Sequence, residues 1–171
     1  MKFFRFTFFW SHILILVLAV AVLYLPTLDF NFVLDEHAGI ERNNKIGDMT
    51  KVLDQPLLTP YYLLLNAINS VNGLKPNGLR LFNILFHLGV VTTGYVLVFR
   101  FTKSNAMAFF SALLFAVHPI LTESVVWISS MYSPAYSVFI ILSLIFYNES
   151  RLRKKKYLLM QFFKSFVRAL Y

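Results

Sequence analysis

Cysteine is missing from the chain, so neither a disulfide framework nor thiol chemistry can operate in it, although this leaves the compartment open. Charge is scarce as well. Asp, Glu, Lys and Arg make up 14% of the 171 residues, where soluble domains carry about one quarter. No internal repeat and no low-complexity segment is visible. The composition is instead 58% hydrophobic, with 19 Phe and nine Tyr suited to lipid-facing and interfacial surfaces. That balance excludes an ordinary soluble domain and points to a membrane protein. A formal net charge of +8 could serve nucleic acid, but most of the excess lies at the ends of apolar runs. The positive-inside rule puts it there, and no nucleic-acid partner is expected.

The apolar residues form four runs. Residues 8–26, FFWSHILILVLAVAVLYLP, follow Lys2 and Arg5 and are long enough to span, at about 20 residues per ~30 Å of hydrocarbon. A signal peptide also has a basic flank, but no small-residue cleavage site follows here, Tyr24-Leu25-Pro26-Thr27 being a poor one. A retained helix is expected. Residues 79–99 end at Arg100 and Lys103, and residues 106–121 contain His118-Pro119. Residues 124–147 carry no formal charge, and Pro134 either kinks that run or starts a shorter helix. The basic block RLRKKK follows at 151–156. Residues 1–156 read as one membrane domain. In 157–171, Gln161, Lys164 and Arg168 fall on one helical face, as in a cytoplasmic amphipathic tail or the opening of a fifth crossing. The expected fold is all-α: a polytopic membrane helical bundle with about four transmembrane helices.

With the N-terminus in the cytoplasm, four crossings put Lys2 and Arg5, Arg100 and Lys103, and RLRKKK all inside. The loop 28–78, with six acidic and four basic residues, then falls outside. Thr59-Pro60 reads as an N-cap followed by proline at the first helical position. Tyr61, Leu64, Leu65 and Ile68 make an apolar stripe behind it. A helix too short to cross is expected to lie along the outer membrane surface. Asn72-Gly73 and Lys75-Pro76-Asn77-Gly78 read as turns back into the membrane.

Two ionisable clusters share that outer side. Asp35-Glu36-His37 follows Phe32-Val33-Leu34, which should hold it near the membrane surface. The other is HPILTESV, residues 118–125. Counting 1.5 Å per residue from Ala106 puts His118 about 18 Å along its helix, with Glu123 near the rim. Ionisable groups at that depth are costly and usually face a cavity or a partner. Asn83 and His87, at i, i+4 spacing, suit packing against a neighbouring helix, and His12 in the first run has the same explanation.

The order DFNFVLDEHAGI, then QPLLTPYYLLLNAINSVNGLKPNGLRLFNILFH, then LLFAVHPILTESVVWIS is similar to the N-terminal part of the C-type membrane glycosyltransferases. It most resembles the transmembrane and tetratricopeptide-repeat group related to the protein O-mannosyltransferases. HP-x-x-x-E after an LLFA run, with N-x-x-x-H before it, carries most of the specificity. The resemblance implies transfer of a sugar from a polyprenyl-phosphate carrier to an acceptor on the outer or lumenal face. It makes one of Asp35 and Glu36 the general base, with Glu123 a second acidic contributor and His118 beside it. A divalent metal on Asp35, Glu36 and His37 is the cofactor it leaves open. Arg80 and Arg42 are the cations positioned for the donor phosphate. Departures include Gln55, where the family often has Arg, and Arg80, where it often has His. Family members have around a dozen crossings, so the chain is expected to be the first third of such an enzyme.

The rival reading is a non-catalytic membrane module that binds lipid or partner helices. The agreement of the three basic clusters makes the topology testable apart from either reading. Reporter fusions after Lys156 and within residues 43–51 should report opposite sides of the membrane, and a shared side would refute four crossings.

Overall fold

The computed structural model describes residues 2–33, 35–43, 46, 48 and 59–152. The expected tail at 157–171 and the Gln55 position lie outside them. The described residues form six α-helices: α1 (Lys2–Tyr24), α2 (Thr59–Asn72), α3 (Pro76–Thr102), α4 (Asn105–Val117), α5 (Thr122–Val126) and α6 (Tyr132–Leu152). Short helical turns at Leu25–Asp29, His37–Glu41, Pro119–Leu121 and Ile128–Ser130 join them. Among the described residues there is no strand, and the fold is all-helical.

Three segments are long and apolar enough to cross a membrane: Phe9–Asp29, Pro76–Thr102 and Ile128–Ser150. A fourth is the bent pair Asn105–Val117 and Pro119–Val126, whose parts meet at 54°. The break has a local cause. Proline disfavours the α conformation at the residue before it and offers no N–H to the preceding turn, and His118 is extended, with φ −68° and ψ 126°. Residues 124–126 therefore belong to α5, and the last long helix starts at Tyr132 rather than at 124. Pro134 sits in its first turn, where a missing N–H costs least. Pro76 likewise opens α3, so Lys75-Pro76-Asn77-Gly78 is a helix start and not a turn.

The bundle has two apolar cores. In the first, Leu16, Val20 and Tyr24 on α1 meet Ile84, Val91 and Tyr95 on α3 and Ala108, Ala112 and Ala116 on α4. The alanines recur every four residues, and such small side chains let helices approach closely where no water drives them together. The opposite face of α1, with Trp10, Leu14, Leu18 and Val22, is exposed, as a lipid-facing surface should be. At the loop end, the second core joins Ile40, Tyr62, Leu65 and Ile68 to Leu79, Ile128 and Met131. The apolar stripe of α2 thus has a partner within the protein. At the other end Arg100 on α3 pairs with Glu149 on α6.

The α3–α6 contact is tight at Gly89, where an added Cβ would meet Val138 Cγ2 at 3.1 Å. Gly89→Leu should lower stability in detergent by about 1–3 kcal/mol. Thermal unfolding measures this, and Val138→Ala in the same chain should recover part of the loss.

Candidate functional site

The site lies where the loop after α1, the start of α3 and the segment between α5 and α6 meet. Asp35 and Glu36 are adjacent but face opposite surroundings. Glu36 is fully buried, while Asp35 is exposed. Burial of a carboxylate is tolerable only when its oxygens are satisfied. Glu36 Oε2 accepts from the Val33 N–H at 3.0 Å and from Arg80 Nη2 at 3.2 Å, and Oε1 accepts from the Ile128 N–H at 2.6 Å.

Arg80 is equally buried and equally occupied. Its Nε donates to the Phe30 carbonyl at 3.3 Å, Nη2 also donates to the Asn31 carbonyl at 2.6 Å, and Nη1 donates to the Val126 carbonyl. One residue pair therefore ties three stretches of chain together. One helical turn along α3, Asn83 Nδ2 donates to the Trp127 carbonyl at 3.1 Å. Asn83 Oδ1 has no hydrogen-bond partner among the described residues. His87, another turn on, approaches the Ala116 carbonyl at 3.3 Å and stacks on Phe115. Asn83 and His87 thus hold two different elements. His12 meets the Tyr95 hydroxyl at 3.2 Å and stacks on Phe109.

Asp35 Oδ1 accepts from the Trp127 indole Nε1–H at 2.9 Å. His37 and Glu41 are both about half exposed and meet at 2.7 Å within one helical turn. Arg42 is exposed one residue further on. His118 is exposed, and its Nδ1 accepts from the Ile120 N–H at 3.2 Å, capping its own turn. Glu123 is exposed in the first turn of α5 and attached to the site through the chain, since its carbonyl accepts the Trp127 N–H at 3.0 Å. Tyr61 on α2 borders the cluster. Burial pushes its hydroxyl well above the usual tyrosine range, helped by the charge of Tyr62, Asp35, Glu36 and Tyr132, so it remains a protonated donor.

A divalent cation would need several oxygen ligands converging on one point. Glu36 is committed to three N–H donors, and Glu41 engages His37 at Nδ1. Among the described residues no three His, Asp or Glu side chains converge. The donor set among the described residues does not fit a metal site. Trp127 was not legible as a site residue, because it sits in an apolar run; only its place just after the HPILTES stretch could have drawn notice.

These features define a class: an all-helical, multi-pass membrane protein with a polar cluster at one end of its bundle. No protein-family model matches the chain, and no solved structure matches it. The chain is 29% identical over 158 residues to Protein O-mannosyl-transferase TMTC3 of Mus musculus, a match covering 82% of this chain and 17% of that protein. At the coarse level the likeness is to a membrane protein of glycosyltransferase kind.

Breaking the buried pair should be costly. Arg80→Met leaves Glu36 buried without its cation, a loss of about 3–5 kcal/mol in detergent unfolding. Arg80→Lys should not restore stability, because a single ammonium cannot reproduce the planar fork that reaches three carbonyls and a carboxylate.

Proposed function

We propose that the chain is part of a membrane glycosyltransferase that moves a sugar from a polyprenyl-phosphate carrier to a hydroxyl acceptor on the outer or lumenal face. The relative's name suggests mannose as the sugar and a protein as the acceptor. In this reading Asp35 is the general base. The observation that carries it is the division between the two carboxylates: Glu36 is buried with both oxygens hydrogen-bonded, whereas Asp35 is exposed, with one oxygen held by Trp127. Asp35 Oδ2 has no partner among the described residues and can take the acceptor's proton as its oxygen attacks the anomeric carbon and the phosphate carrier departs. That requires hydrogen-bond reach of about 3 Å to the acceptor hydroxyl.

Glu36 and Arg80 serve as the frame that presents Asp35. Arg42, exposed just after the His37–Glu41 turn, is a cation for the donor phosphate in this reading, and His118 and Glu123 are candidate contacts to the acceptor. The N-terminus lies in the cytoplasm in this topology, which brings the rim to the face where a lipid-borne donor would present its sugar.

The test uses the protein as its gene encodes it, with polyprenyl-phosphate mannose as donor and a peptide containing Ser and Thr as acceptor. Asp35→Asn should lower transfer by about 10²-fold or more, the usual weight of a general base, with membrane insertion and stability unchanged. Glu36→Gln should instead lose stability. Full activity in Asp35→Asn would remove Asp35 from the chemistry.

A further inference from the structure

We propose that Trp127 is a positioning residue: its indole N–H fixes the Asp35 carboxylate so that one oxygen, Oδ2, faces the acceptor. The proposal rests on the reading of Asp35 as the base. The contact is 2.9 Å long and joins residues far apart in sequence. What distinguishes it from a chance surface contact is the anchoring on both sides.

On the tryptophan side, three successive backbone positions are held by buried side chains. Arg80 takes the Val126 carbonyl, Asn83 takes the Trp127 carbonyl at 3.1 Å, and Glu36 takes the Ile128 N–H at 2.6 Å. The Trp127 N–H is also bound, to the Glu123 carbonyl at 3.0 Å. On the aspartate side, the Asp35 carbonyl accepts the Gly39 N–H at 2.6 Å, and the next residue is locked to Arg80. The carboxylate and the indole are therefore presented to each other from fixed backbones. This pre-organisation limits the rotamers of an exposed Asp, and catalytic groups need such limits, since small misplacement is expensive.

The chemistry of the partner matters too. An indole nitrogen donates and cannot accept. It therefore cannot compete for the proton that the base receives, and it occupies Oδ1 while leaving Oδ2 for the acceptor. A hydroxyl or a histidine in its place could do either. The alternative role for Trp127 is that of an interfacial anchor, whose amphipathic ring sits at the headgroup level. That role needs the ring but not this particular hydrogen bond.

Two measurements separate these roles. Trp127→Phe keeps the ring and removes the N–H. In the transfer assay it should reduce kcat about tenfold, the effect of losing a hydrogen bond to a charged group, with KM within about twofold. Trp127→Phe combined with Asp35→Asn should be no slower than Asp35→Asn alone, because the two act as one unit. An unchanged kcat, or two losses that multiply, would overturn the proposal.

The second measurement needs no activity. The chain has two tryptophans, Trp10 and Trp127, so a Trp10→Phe background reports Trp127 alone. Its emission maximum at neutral pH should shift in Asp35→Ala, which removes the acceptor of the indole N–H. No shift in Asp35→Ala would overturn the contact. A shift together with a fully active Asp35→Asn would overturn the base, and this role with it, while leaving the contact in place.

Discussion

The Glu36–Arg80 pair is the constraint on which the loop end of the bundle depends. Removing two charges from water costs several kcal/mol per ion after relaxation, and mutual attraction repays this only when the remaining donors and acceptors are satisfied. Here the carboxylate accepts from two backbone N–H groups and the guanidinium donates to three backbone carbonyls, besides their contact with each other. Phe30 lies beside the guanidinium, 6.0 Å from its central carbon. Such a pair is weak evidence for net stability. Its consequence is geometric, because this arrangement of three chain segments gives both charged groups hydrogen-bond partners and a displaced one strands a charge.

That geometry separates the roles of two neighbouring carboxylates. With the Glu36 side chain drawn inward to Arg80, the side chain of Asp35 is left at the surface beside Trp127. The same principle lets one fold assign different duties to similar groups by giving them different surroundings. Both oxygens of Glu36 are buried and hydrogen-bonded, whereas Asp35 keeps one oxygen without a partner among the described residues. Tyr61, a protonated donor at the edge, and the exposed His118, Glu123 and Arg42 supply the remaining polarity of the rim.

Hydropathy alone carried the all-helical membrane fold, because runs of about 20 apolar residues admit few alternatives. The details that hydropathy could not carry are those set by partners distant in sequence. Nothing local distinguishes Asp35 from Glu36; the distinction comes from Arg80 and Ile128, 44 and 92 residues away from Glu36. Arg80 read as a cation for a phosphate, since a lone arginine near a helix start shows nothing of three carbonyls that will surround it. The stripe on α2 was legible as a stripe, but its covering by Leu79, Ile128 and Met131 was not. Asn83 and His87 were paired by helical spacing, yet they hold different elements. Proline was the most informative local signal, and it acted at helix starts and at one break: Pro76, Pro134 and Pro119.

The break at Pro119 ties the fold to the site. Backbone that leaves the helix inside or near a bilayer needs new partners for its N–H and C=O groups, and it persists only where protein supplies them. Residues 118–131 contain several such interruptions. Arg80, Asn83 and Glu36 answer those at 126, 127 and 128, while His118 answers the N–H of Ile120 through its own ring. A straight helix in this place would satisfy its own backbone and would have no use for a buried arginine or glutamate. The bend thus gives the buried ion pair its hydrogen-bonding partners, and the ion pair makes the bend tolerable. Trp127 sits at the point where the two requirements meet, and its indole is turned to Asp35 because its backbone is already held on both sides.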